Sequence, residues 1–277
     1  MADVTPSQSS TDEMLLDVGG ATLSYSDRAG DGPVIVGLHG LASSRASEDS
    51  GGYFDWSPLI ATGRRVVRYD ARGHGRSTGR AVPGDYTWAR LADDLLTLID
   101  VVSPDEPVDA FGVSMGVGTL LHAVLARPRR FRRLALVIPP TAWETRAAQA
   151  ANYRQLAALV RARGVGVFAA AASAVPPLPI IAEGGWSPGG PDLDDASAAA
   201  VLLGAAETDL PDPEALRGIR QPVLLRPWAD DPGHPVATAE RLHELLPDSV
   251  LEVQRTPDDL RGLGDRLAAF FAENAAR

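Results

Sequence analysis

Between Val108 and Ala126 the chain reads VDAFGVSMGVGTLLHAVLA. An unalternated apolar run comes first, a helix-like run comes last, and Gly112-Val113-Ser114-Met115-Gly116 joins them without a linker. Apolar residues without alternation suit a strand buried on both faces, and such strands belong to parallel sheets. A strand that passes directly into a helix needs a sharp turn, and the two glycines allow one. The turn is expected to lift Ser114 above the sheet at the N-terminus of the new helix. There the Met115 amide points at any negative charge that forms beside the serine oxygen.

The rest of the chain keeps the same rhythm. MLLDV and ATLSYSD, separated by Gly19-Gly20, predict a hairpin. PVIVGLHG, RRVVRYDARG, RRLALVIPP, QPVLLRPW and SVLEVQR predict further strands. Helices are expected from about Thr87 to Val102, from Met115 to Ala126, from about Val236 to Leu246, and through PDDLRGLGDRLAAFFAENAAR at the end. Strand and helix in alternation imply right-handed crossovers and a mostly parallel sheet covered on both faces, with the hairpin adding antiparallel strands at one edge. From Thr141 to Ile219 no strand pattern occurs; Ala-rich helical runs flank a Pro/Gly-rich loop, AVPPLPIIAEGGWSPGGPDL. This segment reads as a helical cap over the C-terminal strand ends, where such sheets place their sites. The expected organisation is a polar, disordered tail over 1–13, a core over 14–140 and 220–277, and a cap over 141–219.

Composition narrows the chemistry. The 277 residues include no cysteine and no lysine. Thiol nucleophiles, Cys-based metal sites, Schiff bases and the phosphate-loop lysine are excluded. The formal net charge of −10 argues against nucleic acid and anionic membranes as partners. No apolar run reaches the roughly 18 residues of a membrane span. The N-terminus lacks an apolar signal core, so a cytoplasmic protein is expected. Neither a dinucleotide fingerprint nor clustered metal ligands occur, and no cofactor is expected; the partner is a small-molecule substrate or ligand, with the oligomeric state left open.

His39-Gly40, Asp70-x-Arg72-Gly73-His74-Gly75-x-Ser77, Gly112-x-Ser114-x-Gly116 and Trp228-Ala229-Asp230-Asp231 before Pro235 occur in this order. Together they resemble the α/β-hydrolase superfamily over nearly the whole chain from Met14. The resemblance implies an eight-stranded sheet, a cap after strand six and a Ser–Asp–His triad in that chain order. Ser114 matches the nucleophile and Asp231 the acid, with Asp230 as its neighbour. The amides of Leu41 and Met115 match the oxyanion donors. His39, Trp143, Trp186 and Trp228 are candidate pocket residues, with His39 also read as a loop brace and the tryptophans as core; Asp70 and His74 read as loop-fixing hydrogen-bonders.

One part of the family pattern is missing. Its histidine follows the last strand, and here VLEVQRTPDDLRGLGDRLAAFF contains none. Thr256, Pro257, Asp258 and Asp259 read instead as the start of a helix. Without a base, a serine mechanism retains only what the oxyanion hole and binding supply. His122 and His243 fall on helices and read as structural. His234, three residues after Asp231, is the candidate for a relocated base, its tautomer set by Asp231 or by Asp258. Glu144 is an alternative acid. The function expected is hydrolysis of a small, mostly apolar ester by an esterase- or lactonase-type enzyme; the alternative is a fold member that binds, eliminates or isomerises without hydrolysis.

Overall fold

The computed structural model describes residues 13–273. Eight strands, β1 (Glu13–Asp17), β2 (Thr22–Arg28), β3 (Ile35–Leu38), β4 (Val66–Tyr69), β5 (Val108–Val113), β6 (Phe131–Val137), β7 (Val223–Arg226) and β8 (Ser249–Leu251), form one sheet in the order β1-β2-β4-β3-β5-β6-β7-β8. Only the β1–β2 and β2–β4 pairings are antiparallel. Every residue of β3, β5 and β7 is buried, as their mostly apolar sequences require, with Asp109 of β5 and Arg226 of β7 the charged exceptions. The two edges differ: β1 carries Glu13 and Asp17 with Leu15 exposed, and β8 exposes Val250. Residues 1–12 of the expected tail lie outside the described residues, and Glu13 already belongs to β1.

Twelve helices accompany the sheet among the described residues. In the core these are α1 (Arg45–Gly51), α2 (Ser57–Ala61), α3 (Trp88–Val102) and α4 (Met115–Ala126). Between β6 and β7, in the segment expected as a cap, lie α5 (Arg146–Arg163), α6 (Gly166–Ser173), α7 (Pro179–Glu183), α8 (Asp195–Ala206) and α9 (Pro213–Leu216). The core resumes with α10 (Val236–Leu245), α11 (Pro257–Arg261) and α12 (Leu263–Ala272). On one face, α3 and α4 pack their leucines against the sheet; on the other, α2, α11 and α12 do so around Phe111, Leu224 and Leu267. A third apolar cluster joins α5 to α8 through Ala157, Val160, Ala198 and Val201, with Leu41 and Ala42 of the core packed into it.

The sequence pattern missed several elements. The Pro/Gly-rich loop contains α7, started by Pro179 at its first turn. The crossover from β3 to β4 contains α1 and α2, whose few apolar residues give no helical period. The C-terminal helix is two helices, broken at Gly262. The last strand ends at Leu251, and Gln254 forms an isolated bridge to Trp228.

Register sets where the loops emerge. Leu38 pairs with Gly112, Val113 with Val137, and Val137 with Arg226. The C-terminal ends of β3, β5, β6 and β7 therefore lie side by side. The loops that follow them carry Leu41, Ser114, Thr141 and His234.

Candidate active site

Ser114 sits between β5 and α4 with φ 50 and ψ −106. A non-glycine residue at positive φ is strained and persists only where its surroundings over-determine it. Its amide donates to Val137 O at 3.0 Å, and its carbonyl accepts from Val117 N at 2.9 Å. The flanking glycines are needed for close approach. A Cβ on Gly112 would lie 2.5 Å from the Gly116 carbonyl carbon and oxygen. One on Gly116 would lie 2.7 Å from Leu38 O. Strand and helix are thus locked together, and the serine side chain projects half-buried from the turn.

The oxygen of that side chain meets a histidine. Ser114 Oγ lies 2.7 Å from His234 Nε2. His234 Nδ1 lies 2.7 Å from Asp231 Oδ2. A carboxylate only accepts, so Nδ1 carries the proton and Nε2 is free to accept from the serine hydroxyl. The acid is itself held: Asp231 Oδ1 accepts from Gly233 N at 2.9 Å and from His234 N at 3.2 Å. The loop is tied to the end of β6, where Thr141 N donates to Gly233 O at 3.3 Å. Neighbouring Asp230, at φ 58, is exposed and serves the turn. Asp258 is occupied elsewhere, in an exposed pair with Arg261 at 2.7 Å.

Burial works to raise the Asp231 carboxyl, but the bond from His234, its charge and the two amides outweigh burial and hold the group below its usual range. A carboxyl lowered in the folded state adds stability above the unfolded value of about 3.9, and that contribution is lost as pH falls through the folded value. The stability difference between wild type and Asp231→Asn should therefore narrow as pH drops below about 4. Urea unfolding at several pH values measures it; a gap that widens toward acid would contradict the assignment.

Two backbone amides belong to segments that adjoin Ser114. Met115 is the first residue of the twelve-residue α4, so its N–H has no intrahelical partner and lies at the positive end of the helix dipole. Leu41 follows Gly40, where a Cβ would stand 3.6 Å from Ser114 Cβ. Neither amide donates to a protein acceptor among the described residues. Both are available to a ligand oxygen.

The remaining sequence candidates have other partners. His39 is only 3% exposed. Its Nε2 accepts from Ala71 N at 2.8 Å and its Nδ1 donates to Gly40 O at 2.7 Å, so it braces the Leu41 loop. Desolvation lowers its pKa, which keeps the ring neutral. Its neighbour His74 is pushed down to about 3, first by burial and then by His39, and it donates to Arg72 O. Asp70 fixes Arg45 through a 3.1 Å ion pair and accepts from the Arg76 amide at 3.0 Å.

Trp228 is 5% exposed and packs against Tyr53 and Phe54. Trp143 is pinned by its own indole, which donates to Pro211 O, and Trp186 packs under the guanidinium of Arg261. Glu144 is exposed on the cap. His122 bonds Asp209 O at 3.0 Å and His243 bonds Ser249 Oγ at 2.8 Å. The Asp209 carboxylate, missed in the sequence, accepts from the Trp143 amide at 3.0 Å and fastens the start of the cap. Its partner is 66 residues away, so no local pattern marks it.

Where a family histidine would stand, Thr256 Oγ1 accepts from Asp259 N at 3.2 Å and Asp259 Oδ2 accepts from Thr256 N at 2.9 Å, a reciprocal capping box. Thr256→Ala should cost about 1 kcal/mol. The melting temperature should fall by about 2–4 °C with turnover unchanged. Among the described residues no group of three or more His, Asp or Glu side chains stands ready to hold a metal.

Known proteins share this arrangement of chain. Residues 33–166 match the model of the alpha/beta hydrolase fold. "Probable oxidoreductase EphD" of Mycobacterium bovis is 38% identical over 112 residues, a match spanning 40% of this chain and 18% of that protein's length. "Putative carbamate hydrolase RutD" of Caulobacter is 30% identical over 215 residues, spanning 72% of this chain and 76% of the relative. A solved hydrolase from Pseudomonas aeruginosa superimposes with TM-score 0.78 at 22% identity, over 96% of this chain and all of that one. With its sheet order, its strained serine turn and a relative matched over 76% of that relative's length, the chain belongs to the alpha/beta hydrolase fold family.

Proposed function

We propose that the protein is a serine hydrolase of esterase or lactonase type, acting on a small, mostly apolar carboxylic ester. The observation that carries the reading is the pair of 2.7 Å contacts from Ser114 Oγ to His234 Nε2 and from His234 Nδ1 to Asp231 Oδ2. Ser114 Oγ attacks the ester carbonyl carbon as His234 Nε2 takes its proton. The carbonyl oxygen becomes an oxyanion and accepts from the Leu41 and Met115 amides. Asp231 stabilises the imidazolium that forms. The C–O bond to the alcohol then breaks, and Nε2 returns the proton to the departing oxygen. Water repeats the sequence on the acyl-enzyme and releases the acid.

The apolar preference rests on Leu41, which packs between the core and the α5–α8 cluster beside Tyr153 and Leu156. The cap over 141–219 is read as the cover of this site. A cytoplasmic setting belongs to the same proposal; among the described residues no helix is long and apolar enough to cross a membrane.

A fluorophosphonate probe should label Ser114 at neutral pH in wild type and lose labelling in His234→Ala. Turnover in isotopically labelled water should place solvent oxygen in the acid product. A wild-type serine that stays unlabelled would sink the reading, and product without solvent oxygen would point to elimination or isomerisation.

A further inference from the structure

We propose that Asp192, in the segment between β6 and β7, is a positioning residue for the loop that carries the Leu41 amide. That loop begins with a turn from Gly40 to Ser43, closed by Ser43 N donating to Gly40 O at 3.2 Å. Ala42 stands third in the turn, at φ 58. The position favours glycine; an alanine there is strained and stays only where its neighbours hold it. Packing is one restraint, since Ala42 is buried in the α5–α8 cluster beside Leu193. Asp192 supplies the other.

Asp192 grips the loop at two points. Its amide donates to Ala42 O at 2.9 Å. Its Oδ2 accepts from Ser44 Oγ at 2.6 Å, across 148 residues of chain. Ser44 Oγ in turn accepts from Ser47 N at 3.0 Å, as the N-cap of α1. Asp192 is itself seated against the core. Its carbonyl accepts from Gly75 N at 3.0 Å, and Leu193 forms an isolated bridge with His74. The pair Asp192-Leu193 is therefore wedged between the loops that follow β3 and β4. Among the described residues Ser44 is the one side-chain hydrogen-bond partner of the Asp192 carboxylate, so removing that carboxylate removes a single bond.

The gripped loop abuts the serine. A Cβ on Gly40 would stand 3.6 Å from Ser114 Cβ, and one on Gly116 would stand 3.1 Å from His39 O. Leu41 lies between Gly40 and the strained Ala42, so its amide takes its direction from the turn. Without the bond to Ser44 the turn is freer to relax toward negative φ, and Leu41 moves with it. A carboxylate from a remote segment thus sets an amide whose value lies in the transition state. The consequence for rate rests on the proposed ester chemistry; the restraint on the loop does not.

The test compares Asp192→Ala with Asp192→Asn, whose amide oxygen still accepts from Ser44. On nitrophenyl acetate, Asp192→Ala should lose about 10- to 100-fold in kcat with KM within about twofold of wild type. Asp192→Asn should recover all but about threefold of that loss. A second probe is hexyl trifluoromethyl ketone. Ser114 Oγ adds to its carbonyl carbon, the serine proton passes to His234 Nε2, and the ketone oxygen becomes an oxyanion for the Leu41 and Met115 amides to hold. Its Ki should rise in step with the fall in kcat. Ala42→Gly, added to Asp192→Ala, should restore most of the rate, because glycine keeps a positive φ without help. The role is overturned by wild-type kcat in Asp192→Ala, by an unchanged Ki beside a lowered kcat, or by no recovery with Ala42→Gly. Should wild type neither turn over the acetate nor bind the ketone, the hydrolase reading fails and hydrogen exchange at the Ser43 amide decides the inference. Exchange at least about tenfold faster in Asp192→Ala than in wild type sustains the restraint, and equal exchange overturns it.

Discussion

His234→Ala is expected to lower kcat by about 10⁴- to 10⁶-fold, which is about 5.5–8 kcal/mol in the barrier. The ring is the group that reaches Ser114 Oγ, and the other described histidines are engaged elsewhere. Its loss should leave KM nearly unchanged, because a proton acceptor acts on the transition state more than on bound ester. Ser114→Ala and the double variant should fall to the same residual rate, since serine and base act as one unit. His122→Ala and His243→Ala should stay close to wild type. The measurement is kcat and KM on a soluble ester for all five proteins. A His234→Ala enzyme within tenfold of wild type would remove the relocated base from the mechanism. Folding should not confuse the outcome, because the His234 side chain is 23% exposed and its removal opens no core cavity.

Gly112→Ala is the second large effect, on stability and rate together. The added methyl would stand 2.5 Å from the Gly116 carbonyl group and 2.8 Å from Val117 N, all of it backbone that cannot swing away. Forcing the strand and helix apart should cost about 3 kcal/mol. That is a fall of about 6–12 °C in melting temperature. The shift also carries Ser114 away from His234, and a displacement on the order of 1 Å costs about 10²-fold in rate. Calorimetry and kcat on the same preparation check both. Gly40→Ala is the control: its methyl would meet Ser114 Cβ at 3.6 Å, an ordinary contact, so stability should change little. Wild-type stability in Gly112→Ala would show that the turn has more room than its atoms suggest.

Sequence legibility followed the range of the interactions. The boundaries of β5 and α4 are readable to the residue, because an apolar run, a Gly-x-Ser-x-Gly turn and a helical run specify them locally. The hairpin is legible for the same reason. Elements with few apolar residues, α1 and α7 among them, were not, since their helicity depends on capping and on neighbours that no period reveals. For His39 and Trp228 the sequence left two readings open, because both residue types suit a binding site and a packed interior equally well. Only burial separates those roles. Asp209 and Thr141 escaped notice since their contributions run through backbone amides of distant residues.

The Asp231–His234 pair was within reach of the sequence. Three residues separate Asp231 and His234 in one turn, and the carboxylate bonds the ring, the His234 amide and the Gly233 amide without help from elsewhere. The absence of a histidine after β8 is equally plain in the sequence. What the sequence alone determined is thus a serine on a tight turn, a carboxylate and an imidazole three residues apart, and a capped helix in place of the family's histidine loop. That the serine and the pair meet is a different kind of fact. They lie 120 residues apart, with the whole cap between them. Their 2.7 Å contact follows from the parallel register of β5, β6 and β7, which aligns Val113, Val137 and Arg226, and from the tie of Thr141 to Gly233. A hydrogen bond to a serine oxygen tolerates errors of a few tenths of an ångström. No local preference sets a distance between remote loops that closely; only the packed sheet does.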